Sequence, residues 1–241
     1  MKALIALLTL GKLGKVAASG GSMLLSLVVY ATVYGWGYAA GIIVMLFCHE
    51  MGHYLAARRA GLAVGLPTFI PFVGAWIELK NTDLDPETEA AVAFAGPLAG
   101  TISAMACYFL GRELEDFLLV AVAYAGLMLN LFNLLPLGPL DGGRITAILS
   151  PRLWLLGVPV LVSLFLYVPS PMLILVAVLA IPSIIKAWRY DPAAEENRRY
   201  AGVSAATRTE YALLYLGLAA FLAIMAWEVH ESLPRVGMSI G

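Results

Sequence analysis

Charge is scarce in this sequence. Only 13% of its 241 residues are Asp, Glu, Lys or Arg, against about 25% in an average soluble chain, while 61% are hydrophobic. A soluble domain of this length needs a charged surface over its core, and there are too few charges to make one. A basic excess is missing as well. Fifteen Lys and Arg against sixteen Asp and Glu leave a net charge of -1, which supplies no field for holding nucleic acid. Cysteine is nearly absent: Cys48 and Cys107 both lie in apolar runs and neither belongs to a CxxC pair, so a disulfide scaffold is excluded. The sequence carries no internal repeat and no low-complexity tract. What remains is an all-α polytopic membrane protein, in which each polar residue within an apolar run needs a reason to be there.

A bilayer-spanning helix needs about 20 apolar residues. Two such spans fit at 18–34 and 37–57, divided at Gly35-Trp36-Gly37, and others fit at 90–110, 117–135, 153–168, 172–188 and 211–228. That makes seven, or six if the pair around Pro169-Ser170-Pro171 is a re-entrant hairpin. The apolar stretch 61–79 is a different case, because Gly65, Pro67, Pro71 and Gly74 interrupt it. The β-branched and aromatic residues around Phe69 and Trp76 suit a short re-entrant β-hairpin or loop, which is tolerated at membrane depth only against protein or water. The first twenty residues suit an interfacial helix or strand better than a cleaved leader, since Lys12 and Lys15 follow a short apolar run. Lys and Arg in short loops stay on the cytoplasmic side. With the amino terminus inside, thirteen of the fifteen fall there, and only Arg112 and Arg235 fall outside.

Two of the chain's three histidines form His49-Glu50-Met51-Gly52-His53. Positions i and i+4 share one helix face, so both imidazoles can reach a single Zn²⁺, with Glu50 beside it to take a proton from water. An ionisable side chain at the centre of a spanning helix costs about 2.5 to 3.5 kcal/mol, and three within five residues would be hard to keep without a partner. Catalytic zinc takes three protein ligands and leaves a fourth position open. Among acidic residues in or against apolar segments, Asp141 and Glu78 are the candidates for the third. Depth favours Asp141: at 1.5 Å per residue the histidines lie roughly 8 to 14 Å from the cytosolic end at Arg58, and Asp141 precedes Arg144 on that same side.

Together with the Asn133-Leu134-Leu135-Pro136-Leu137-Gly138-Pro139-Leu140-Asp141-Gly142 stretch, these residues resemble the site-2 protease family of intramembrane zinc metalloproteases. That family pairs HExxH with NxxPxxxLDG two spans later, and the resemblance covers roughly residues 20–150. It implies His49, His53 and Asp141 as ligands of one Zn²⁺ per chain, Glu50 as the catalytic glutamate and Asn133 as the substrate-positioning asparagine. It also makes residues 67–79 the family's membrane-re-entrant β-loop. On this reading residues 1–241 are a single membrane-embedded protease domain, with a catalytic core at about 20–150 and accessory spans at about 151–229. The protein would sit in the cell membrane with its amino terminus and active-site face cytosolic. It would cleave transmembrane segments of membrane proteins near that face. The PDZ and CBS domains of other members have no room here, so control would fall to a regulatory membrane partner or a homodimer.

A non-proteolytic metal-binding or metal-transport protein using the same ligands is the alternative, although transport has no evident need for Glu50. A catalytically idle binder of membrane segments is a third reading, against which every catalytic position is filled. Other residues have plainer expected roles. Cys48 points about 100° away from His49 on a helix, His230 suits an interface, Gly96 and Gly100 permit close helix packing, and Asn130 suits a bond to a neighbouring helix.

Overall fold

The computed structural model describes residues 2–70, 74–76 and 84–238. Its elements run α1 (Lys2–Tyr34), α2 (Trp36–Arg59), β1 (Thr68–Ile70), β2 (Gly74–Trp76), α3 (Pro86–Glu113), α4 (Phe117–Asn133), α5 (Asp141–Ala147), α6 (Gly157–Tyr167), α7 (Pro171–Trp188), α8 (Arg198–Ala201) and α9 (Ala205–Met238), with a 3₁₀ turn (Pro151–Leu156) leading into α6.

Helix ends fall where local chemistry dictates. Gly35 adopts φ 83°, open to glycine without strain, and breaks the chain between α1 and α2. Asp85 caps α3, its carboxylate accepting from the amides of Glu87 and Thr88, with Pro86 in the first helical position. Asp116 caps α4 in the same way through Leu119, and Ser170 caps α7 ahead of Pro171. The amino-terminal segment is not a separate interfacial element as expected, because α1 continues without a break to Tyr34.

Among the described residues, five helical segments have the length and apolar composition to cross a membrane: Ala17–Tyr34, Trp36–Arg59, Pro86–Glu113, Pro171–Trp188 and Ala205–Leu233. The other two segments expected to span, Phe117–Asn133 and Pro151–Tyr167, are shorter apolar helices. β1 and β2 pair antiparallel, with Phe69 opposite Ala75. Their outer neighbour is α1, whose Ser19 hydroxyl donates to the Pro67 carbonyl and whose Ser22 hydroxyl accepts from the Phe69 amide.

Helices α2, α3 and α4 pack on one another, and α9 lies along α4 and α3. The core between them is built largely of small or slender side chains, among them Ala90, Ala93, Ala104, Val120 and Ala123, closed at the α9 side by Leu222. Between apolar helices in lipid there is little hydrophobic gain in association, so close backbone approach and dispersion must hold them. Exposed Leu, Val and Phe on α6, α7 and α9 form the outward apolar surface. The close approach of α2, α3 and α4 is what positions the polar cluster.

Candidate metal centre

Helix α2 places His49 and His53 one turn apart on its inward face, both buried with Glu50 between them. The third side chain comes from the unwound segment after α4. Pro136 and Pro139 cannot continue the helix, and the chain folds back on itself so tightly that a methyl on Gly142 would overlap the Leu134 carbonyl. Asp141 then opens α5 facing α2, its Oδ2 3.1 Å from His49 Nε2 and 3.2 Å from His53 Nε2. The two Nε2 atoms are themselves 3.1 Å apart. Among the described residues, these three form the group of His, Cys, Asp or Glu side chains close enough to share one ion.

Hydrogen bonds to the far side of each ring decide what the near side can do. His53 Nδ1 lies 2.8 Å from the Val92 carbonyl, which can only accept, so that nitrogen carries the proton. His49 Nδ1 lies 2.8 Å from Asn130 Oδ1, likewise an acceptor. With both rings neutral, the two Nε2 atoms present lone pairs, aimed at each other and at a carboxylate oxygen. Such a convergence of three acceptors is repulsive unless a cation lies among them. Ligand atoms held tetrahedrally at about 2.0 to 2.1 Å from one zinc stand about 3.3 Å apart, close to the separations seen. The donor set of two imidazoles and a carboxylate is also one that zinc takes in catalytic sites.

Surrounding residues make room for this arrangement. A methyl on Gly96 would overlap the His53 imidazole, and one on Gly100 would overlap the Asn130 amide. The two glycines thus do more than the close helix packing expected of them: they house particular side chains. Pro97 brings no amide to α3, so the Ala93 carbonyl, next to that of Val92, has no donor one turn on. Arg144, one turn along α5, stands between Asp141 Oδ1 at 4.0 Å and Glu89 Oε1 at 3.7 Å. The returning segment is tied from outside by Tyr215, whose hydroxyl donates to the Leu134 carbonyl at 2.6 Å, and by Trp154, whose indole N–H donates to the Gly143 carbonyl at 2.7 Å.

Residues 37–115 match the model of Peptidase family M50, and this segment carries the two histidines, Glu50, Val92, Gly96 and Gly100. Over that segment the chain is similar to this family, that of the site-2 proteases. It is 37% identical to Rip3 of Mycobacterium tuberculosis over 129 residues, covering 48% of this chain and 32% of that one. It is 32% identical to zinc metalloprotease MJ0392 of Methanocaldococcus jannaschii over 117 residues, covering 46% of this chain and 34% of the other. Among solved structures, the site-2 protease from Methanocaldococcus jannaschii aligns with a TM-score of 0.44 at 20% identity, over 72% of this chain and 89% of that one. The chain spans about a third of the length of these curated relatives.

The structure brings together His49, His53, Asp141 and, within electrostatic range of all three, Glu50. Asn133 is half-buried at the end of α4, and the amide that bonds His49 belongs to Asn130 one turn earlier. Glu78, the rival third ligand, lies outside the described residues. His230 is exposed on α9 with its ring 5.5 Å from that of Tyr124. Asn130 makes the bond to a neighbouring helix expected of it, and its partner is His49 itself; Val92 and Arg144 are the site residues that sequence reasoning missed.

Proposed function

We propose that this protein is a zinc-dependent intramembrane endopeptidase that cleaves transmembrane segments of other membrane proteins near the cytosolic face. The observation that carries the reading is the buried convergence of His49, His53 and Asp141 beside Glu50, on helices apolar enough to cross a bilayer. Bound there, zinc supplies Lewis acidity, polarising a carbonyl and making water nucleophilic near neutral pH. His49, His53 and Asp141 hold the ion. Glu50 takes the proton from the attacking water and returns it to the leaving amine. Asn133, at the mouth of the unwound segment, steadies the substrate backbone or its developing oxyanion.

A helical substrate has its carbonyls already bonded and must be drawn out before cleavage. Strands β1 and β2 enter the membrane as a re-entrant hairpin and offer the extended segment a strand to pair with. Along β1, the Phe69 amide and Pro67 carbonyl are held by Ser22 and Ser19 of α1. A substrate strand laid there takes the place of those hydroxyls. Six to seven spans, an amino terminus and active-site face in the cytosol, and residence in the cell membrane fit the placement of Lys and Arg. The core at about 20–150 and the accessory spans at about 151–229 act as one domain, controlled through a membrane partner or a second copy.

The decisive comparison is between wild type and Glu50→Gln, each measured for bound zinc and for cleavage of a single-span substrate in detergent or vesicles. Glu50→Gln is expected to keep its zinc and lose cleavage. Undiminished cleavage by that variant would overturn the assignment, and metal flux that survives it would favour a transport protein instead.

A further inference from the structure

We propose that Asn130 is a positioning residue of the metal centre, which sets the tautomer and the ring angle of His49. The inference rests on the reading of the site as a zinc centre and adds a residue that neither family motif contains. Asn130 is fully buried on α4, a helix otherwise made almost wholly of apolar residues. Its Nδ2 donates to the Gly126 carbonyl at 2.7 Å. A carbonyl can only accept, so the orientation of the amide is fixed and Oδ1 must be the atom that faces His49. Oδ1 in turn can only accept, so His49 Nδ1, 2.8 Å away, must be the protonated nitrogen. The lone pair of Nε2 is then committed to the point shared with Asp141 Oδ2 and His53 Nε2. Three helices cooperate in this: α2 carries the ligand, α4 the amide, and α3 the empty volume at Gly100 that admits the amide.

The pair therefore has the form in which a ligating imidazole is oriented by an acceptor on its other nitrogen, and loss of such a partner typically costs about 10- to 100-fold in metal affinity. His49 receives this support from a side chain and His53 from the Val92 backbone, so only the His49 arm can be tested by substitution.

The experiment uses the full chain in detergent. Zn²⁺ affinity is measured by competition with a chelator of known strength for wild type, Asn130→Ala and Asn130→Asp, alongside the melting temperature of each metal-free form. Asn130→Asp keeps an acceptor at the same place but turns a carboxylate toward the Gly126 carbonyl. The expected result is zinc bound about 10- to 100-fold more weakly by Asn130→Ala and within about threefold of wild type by Asn130→Asp, although Asn130→Asp melts lowest. A role in packing alone would make the affinities follow the melting order. Zinc affinity unchanged in Asn130→Ala would overturn the proposal.

Should Asn130→Ala fail to fold, nitrogen NMR of the zinc-loaded protein decides. The chain has three histidines, and removal of one with His230→Asn leaves two ring signals to assign. Protonated Nδ1 on His49 is expected; a proton on its Nε2 would overturn the proposal. If wild type itself binds no zinc, the zinc reading falls first and this inference with it.

Discussion

Replacing Gly96 by alanine is the smallest change that reaches the metal centre without altering a ligand. The added methyl would overlap three atoms of the His53 imidazole, Nε2, Cε1 and Cδ2. The ring has little space to yield: its Nδ1 is bonded to the Val92 carbonyl and its Nε2 faces His49 and Asp141. Overpacking of this kind costs about 1 to 3 kcal/mol, and a ring turned aside also gives up the Val92 hydrogen bond, about 0.5 to 1.5 kcal/mol. Together they amount to about 1.5 to 4.5 kcal/mol, or about 10- to 1,600-fold in zinc affinity. The metal-free protein should suffer far less. With no ion bound, a shift of His53 breaks no bond to a metal, and alanine is about 1 kcal/mol better than glycine inside a helix. Gly21→Ala, in α1 with nothing near its missing methyl, serves as the control: it should leave zinc affinity as it is and raise the melting stability of the metal-free form by about 1 kcal/mol. The assay is chelator competition for zinc together with thermal melting of the metal-free forms. Zinc bound by Gly96→Ala as tightly as by wild type would refute the claim that Gly96 makes room for the ligand.

Chelation should lower the melting temperature of wild type and of Glu50→Gln alike, since an ion at a thousandfold its dissociation constant stabilises by about 4 kcal/mol; equal melting with and without chelator would show that no ion supports the fold. Tyr215→Phe removes the hydroxyl bonded to the buried Leu134 carbonyl, which should cost about 1 to 3 kcal/mol in melting stability and speed zinc loss to a chelator, because Leu134 opens the segment that carries Asp141. Asp85→Ala should destabilise α3 by about 1 kcal/mol near neutral pH. The hydrogen bonds from Thr88 and Glu87 hold the Asp85 carboxyl below the usual carboxylate range. Its contribution is therefore present above about pH 3.9 and is lost as pH falls through the lowered value. The stability gap between wild type and Asp85→Ala should accordingly close on acidification, and a gap undiminished at low pH would refute the capping role.

How much of this was legible in the sequence depends on which atoms a letter reveals. The pair His49 and His53 could be read because a helix puts i and i+4 on one face. Asp141 could be read because Pro136, Pro139 and the glycines after it announce a chain leaving its helix. Asn130 could not be separated from Asn133, because residues three apart on a helix differ by only about 60° in direction. Which of them meets His49 depends on how α4 is rolled against α2. The partner of His53 is a backbone carbonyl, which every residue has and no letter marks.

The length of α4 belongs to the same argument. Hydropathy extended this span to residue 135 and counted it with the others, yet the helix stops at Asn133 after 17 residues, about 26 Å against the roughly 30 Å of a bilayer's hydrocarbon. A longer α4 would carry the chain past the depth of His49 and His53 before it could turn. Stopping short leaves residues 134–140 to unwind within the protein, where Tyr215 and folded-back backbone satisfy their polar groups, and delivers Asp141 level with the histidines. The shortfall in span length is thus what brings Asp141 to the two histidines.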